Sequence, residues 1–140
     1  MPQHTFIFLT KKPENLKQWS PLLENVWVGV TVDGTTPLNK MLYSSFDRIK
    51  ASVKFISFEP LLADTTLDSR DLRDAEIGWV ILGCRTQPIR YPPWAWVDPI
   101  VRACISAEIP LLSKSRCEVT IRPCISARNS QTNKERQNGK

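Results

Sequence analysis

Val26-Trp27-Val28-Gly29-Val30-Thr31-Val32 carries no charge, five β-branched residues, and apolar side chains at both odd and even positions. A strand with one wet face would alternate apolar and polar. This one does not, and at seven residues it is too short for an ordinary helix, so it predicts a strand covered on both sides, as in a parallel sheet. Four similar runs flank it: residues 5–9 (TFIFL), 53–58 (VKFISF), 79–83 (WVILG) and 109–112 (IPLL). Their starts at 5, 26, 53, 79 and 109 are 21, 27, 26 and 30 residues apart, room for a strand, a helix and a return in every interval.

The intervals support that alternation. Pro13 and Glu14 suit a first helical turn, where proline loses nothing and an acid meets the positive end of the helix. Leu38, Met41, Leu42, Ser45, Phe46 and Ile49 recur at helical spacing and predict one helix with a mostly apolar face. Asp98-Pro99 is read as N-cap and first turn of a helix reaching residue 108, with Val101, Cys104 and Ile105 facing inward. Residues 63–78 are charged and weakly periodic, which leaves room for a short helix only. The expected fold is α/β: a partial parallel (β/α) barrel of about five β/α units that lacks its N-terminal strands.

Composition bounds the rest. The chain has 140 residues, 41% of them apolar, one domain at most and short of the about 200 residues or more of a closed barrel. No apolar run reaches about 18 residues, and Met1-Pro2-Gln3-His4 is no signal peptide, so no membrane partner and a cytoplasmic address are expected. The net charge of +5 is unevenly placed. Residues 1–112 hold 12 Lys/Arg against 12 Asp/Glu, whereas residues 113–140 hold 7 against 2. The chain therefore divides into an incomplete barrel domain, 1–114, and a basic tail, 115–140. The tail reads by composition as disordered, with weak nucleic acid binding through its charge as the functional alternative. No aromatic residues are interleaved there to stack on bases.

Cys84, Cys104, Cys117 and Cys124 form no CxxC, and the single histidine, His4, is remote from them; no metal site is expected. Cys84 and Cys104 read as small buried hydrophobes, and Cys117 and Cys124 as a pair only in an oxidising compartment. Trp27 and Trp79 read as core. Trp94 and Trp96, around Tyr91-Pro92-Pro93, read as an anchor at a helix start rather than a stacking surface. No Gly-rich phosphate loop, GxSxG elbow or HExxH is present.

Right-handed crossovers bring all carboxyl ends of parallel strands to one rim, where ligands of α/β folds bind. The residues arriving there are Lys11 and Lys12, then Thr31 and Asp33, then Ser57 and Glu59, then Gly83, Arg85 and Thr86, and last Ser113 and Lys114. Lys11, Thr31, Glu59, Arg85 and Lys114 are the candidate ligand-binding residues; no catalytic or metal-binding residue is assigned. Three cations around one acid predict a cationic crevice for an unknown small molecule or nucleotide carrying phosphate or carboxylate. A structural salt bridge from Glu59 to Lys11 or Lys114 is the competing role for those side chains. An open sheet edge would also favour self-association.

Five segments, taken in order, resemble one family. They are His4-Thr5-Phe6-Ile7-Phe8-Leu9-Thr10-Lys11-Lys12-Pro13, Asn25-Val26-Trp27-Val28-Gly29-Val30-Thr31-Val32, Phe55-Ile56-Ser57-Phe58-Glu59-Pro60-Leu61-Leu62, Gly78-Trp79-Val80-Ile81-Leu82-Gly83 and Ile109-Pro110-Leu111-Leu112-Ser113-Lys114. The family is the phage gp-thirty-seven/gp-sixty-eight-like group of radical-SAM-like barrels, and the resemblance covers about residues 2–114. It implies that intact members use S-adenosylmethionine and a [4Fe–4S] cluster held by a Cys-rich loop ahead of the first segment here. On that reading this chain is a truncated member without autonomous catalysis, and no cofactor is bound by it alone. Gly83-Cys84-Arg85 departs from the two glycines and an acid that many members carry. The alternatives are a non-catalytic nucleic-acid-associated module using the basic tail, and a functionless remnant.

Overall fold

The computed structural model describes residues 3–43 and 45–114. Five parallel strands form one sheet: β1 (Phe6–Thr10), β2 (Val26–Thr31), β3 (Val53–Phe58), β4 (Ile77–Leu82) and, after a short hairpin of β5 (Arg85–Thr86) and β6 (Ile89–Arg90), β7 (Leu111–Ser113). Their spatial order, β1-β2-β3-β4-β7, is their order in the chain. Between them lie a 3-10 helix (Pro13–Trp19), α1 (Leu38–Tyr43) followed by a 3-10 turn (Phe46–Arg48), α2 (Ser69–Asp74) and α3 (Trp94–Ala107). The chain is thus α/β with a parallel sheet interleaved with helices, as the spacing of apolar runs predicts. The sheet is not closed among the described residues, and the β5–β6 hairpin forms a separate two-stranded sheet.

One face of the sheet carries the core. Val28, Val30 and Val32 from β2 and its end, Ile56 and Phe58 from β3, and Val80 and Leu82 from β4 are packed with Leu42 and Phe46, Leu72, and Ile100 and Cys104 from the helical segments. All of these are nearly or wholly excluded from solvent. Each large side chain contributes about 1.5–3 kcal/mol by leaving water. The alternate positions belong to the other face, because side chains along a strand alternate. There Trp27, Phe55 and Trp79 stack, with ring centroids 6.3 Å apart for Trp27–Trp79 and 4.9 Å for Phe55–Trp79. Gly29 makes room for this: a Cβ on it would fall inside the Phe55 ring. Trp27 and Trp79 are therefore half-buried in a separate cluster on the second face, not in the main core as expected.

Strand β1 departs furthest from its sequence reading. Phe6, Ile7, Phe8 and Leu9 are 45, 56, 54 and 51% exposed. The strand is paired to β2 in register along its whole length, Phe6 to Val26 through Thr10 to Val30. It is an edge strand of the described sheet, and its apolar side chains are about half exposed among the described residues.

The helices also differ in detail. All six residues of the expected 38–49 face are buried, but the single helix is broken. The Lys50 amide bonds to Ser20 Oγ at 3.0 Å instead of the Phe46 carbonyl, and the Lys54 ammonium takes the Phe46 and Asp47 carbonyls at 3.3 and 3.2 Å. Lys54 is 2% exposed, lies 3.6 Å from a Glu76 carboxylate oxygen and 5.6 Å from the Phe46 ring centroid. Burial pushes its pKa down, partly offset by Glu76. Helix α2 begins with a capping box: Asp68 accepts from the Arg70 amide and Asp71 from the Asp68 amide. Helix α3 starts at Trp94, four residues before the expected Asp98, and holds Pro99 in its interior. The stripe Val97, Ile100, Val101 and Cys104 is buried, and that burial outweighs the hydrogen bond proline cannot donate. Asp98 instead accepts from Arg102 Nε at 2.7 Å. Ile105, expected inward, lies off the stripe and is 59% exposed.

Candidate functional site

The carboxyl ends of the strands do converge. Backbone bonds continue past the strands: Val32 donates to the Ser57 carbonyl at 2.9 Å, Gly83 to Phe58 at 3.0 Å and Lys114 to Leu82 at 2.9 Å. The residues just beyond β2, β3, β4 and β7 are thereby fixed in the sheet's own geometry rather than left to loops.

Two ion pairs define the rim. Lys114 donates from Nζ to Glu59 Oε2 at 3.0 Å. Lys11 Nζ lies 3.6 Å from Asp33 Oδ2. The expected cationic crevice is therefore charge-balanced at its centre: each lysine is matched by a carboxylate, in the order plus, minus, minus, plus across β1, β2, β3 and β7. Asp33 was among the strand-end residues in the sequence, but its partner could not be read there. Burial raises the Asp33 pKa, but the Thr35 hydroxyl at 2.6 Å, the Thr35 amide at 2.9 Å and the Lys11 ammonium outweigh it and hold the carboxyl below the usual range.

Beneath the pairs lies a hydroxyl floor. Thr31 and Ser57 are direct partners in the β2–β3 ladder, 7% and 1% exposed, on the face away from the main core. Ser57 Oγ has no hydrogen-bond partner among the described residues, and neither does Trp79 Nε1 on the same face. A buried polar atom left unpaired costs about 1–3 kcal/mol. Gly83 was placed on the rim by the sequence but given no role there. A Cβ there would sit 2.8 Å from Glu59 Cγ, so only glycine lets the Glu59 side chain lie across the end of β4 and reach Lys114.

Arg85 is not part of this constellation. It stands at the start of the hairpin, where its Nε donates to the Gln87 carbonyl at 3.1 Å. Two concavities lie near the rim. One cleft of about 520 Å³ is lined by residues 34–39, 64–66 and Asp71; another of about 480 Å³ includes Lys11, Glu14 and Lys40. Neither is lined by Glu59 or Lys114, whereas Lys11 lines the second. Among the described residues no three His, Cys, Asp or Glu side chains are grouped to hold a metal ion, and no helix is long and apolar enough to cross a membrane. Cys104 is buried, with its thiol pushed up to about 12 by desolvation, whereas Cys84 is half-buried. Cys117, Cys124 and the basic tail lie outside the described residues.

A family model described as "Protein of unknown function (DUF5131)" matches residues 1–139. The chain belongs to this family. Searches of curated proteins and of solved structures gave no match. The DUF5131 match corrects the resemblance drawn from the five segments: it spans the tail as well as the strands, and nothing links it to the radical-SAM-like phage group. Most of each segment is a strand of the parallel sheet, whose apolar run the architecture itself calls for. The S-adenosylmethionine and cluster expectations rested on that resemblance alone.

Proposed function

We propose that this DUF5131 chain is a ligand-binding module built as a segment of a (β/α) barrel, holding a small polar molecule on its strand-end rim. The barrel reading is supported by strands that keep chain order and by helical side chains that gather on one face only. The single observation that carries the ligand is Ser57, wholly buried with an unpaired hydroxyl under two fixed ion pairs. A ligand suited to this rim has an anionic group for Lys114 or Lys11 and hydroxyl or amino donors for Glu59 and Asp33. A nucleotide or sugar phosphate has both. The exposed β1 edge and second face add a proposal of self-association.

Calorimetric titration of residues 1–140 with adenosine monophosphate, ribose 5-phosphate and citrate tests this. At least one should bind, and Lys114→Gln should weaken it roughly ten- to 100-fold, the worth of one charge-assisted contact. Unchanged affinity in Lys114→Gln would remove the rim from the account.

A further inference from the structure

The β5–β6 hairpin lies between β4 and α3. Arg85 and Arg90 are direct cross-strand partners, so their side chains project from the same side of the ribbon. Like charges so placed repel, and neither guanidinium is in a salt bridge with a described residue. Acid is absent from the whole stretch between Glu76 and Asp98. Close to the arginines in the chain are exposed apolar and aromatic side chains: Ile89 is 68% exposed, Tyr91 49% and Trp94 56%. Trp96, by contrast, is half-buried and packed against the core. The two tryptophans thus divide the roles between which sequence reading had to choose: Trp96 anchors the helix, and Trp94 is left in water.

An unrelieved cation pair asks for an anion, and exposed flat rings ask for a flat partner. Single-stranded nucleic acid supplies both, with phosphates for arginine and unpaired bases for stacking. A duplex hides its base faces, an acidic peptide has none, and an anionic bilayer would favour lysines with a continuous apolar face over two isolated rings. We propose that the β5–β6 hairpin and the start of α3 form a contact surface for single-stranded nucleic acid, with Arg85 and Arg90 on the backbone and Tyr91 and Trp94 under bases. This surface is separate from the ion-paired rim at Glu59 and Lys114.

Fluorescence anisotropy of a labelled twelve-residue oligothymidylate, titrated with residues 1–140 at several salt concentrations, tests the proposal. The basic segment after residue 113 is the same in every variant, so differences report the hairpin. Arg85→Gln with Arg90→Gln should weaken binding and lower the salt slope by up to about 1.4, from about 0.7 per phosphate contact. Trp94→Ala should weaken it roughly five- to 100-fold at every salt concentration with the slope unchanged, and Trp94→Phe should retain most of the affinity. All four positions are exposed, and a thermal melt of each variant checks the fold. Affinity indifferent to these substitutions, equal affinity for an abasic oligomer, or binding to anionic vesicles in place of the oligomer would each overturn it.

Discussion

Ser57 separates folding from function at a single atom. Its hydroxyl is buried and unpaired, so replacing it with alanine removes a desolvation cost and no contact. Ser57→Ala should leave stability unchanged or raise it by up to about 1 kcal/mol, while weakening whatever binds the rim. Chemical denaturation alongside titration checks both; a clear loss of stability would show that the hydroxyl has a structural partner. Tyr43 offers a second test. Its hydroxyl donates to Asp71 Oδ1 at 2.5 Å, tying α1 to α2, and that bond, helped by burial and nearby carboxylates, raises its pKa from 10.0 to about 12. Between those values the folded chain keeps a proton that the unfolded chain has lost, so this contribution is whole below pH 10 and disappears as pH rises through about 12. Tyr43→Phe should flatten the alkaline decline in melting temperature. An unaltered decline would place the titration elsewhere. Such pairings are not legible in a sequence: Thr31, Asp33, Ser57, Glu59 and Lys114 could be assigned to strand ends, but which carboxylate meets which lysine depends on neighbours 22 and 55 residues apart.

The elements show where pattern reading stops. Five strands and their parallel order followed from apolar runs and their spacing, because burial on both faces leaves that mark. Helix limits did not follow: the apolar face over 38–49 is divided between α1 and a 3-10 turn whose carbonyls bond to Lys54, and α3 starts at Trp94, before its expected cap. The hairpin escaped because two-residue strands leave no periodic signal. β1 is the clearest case of an element whose composition and surroundings disagree. Ile7→Lys should change stability by no more than about 0.5 kcal/mol, as for an exposed site, while Ile56→Ala on β3 should cost about 2–5 kcal/mol. If β1 is a self-association surface, Ile7→Lys should also lower the concentration dependence of the sedimentation coefficient. A large loss of stability in dilute Ile7→Lys would mean that β1 is covered within one chain.

At the scale of the whole molecule, one face of the sheet is closed by helices and the other presents aromatics, two unpaired polar atoms and a rim of matched charges. That asymmetry is what supports the proposal that the second face and its strand-end rim are the functional side, with the cationic hairpin lying in the β4–α3 connection. The most direct test is a two-dimensional amide NMR spectrum of residues 1–140, assigned and titrated with adenosine monophosphate. The account predicts shifts concentrated at Thr31, Ser57, Glu59, Gly83 and Lys114. Shifts confined to the cleft at residues 34–39 and 64–66 would contradict it, as would a spectrum that does not change.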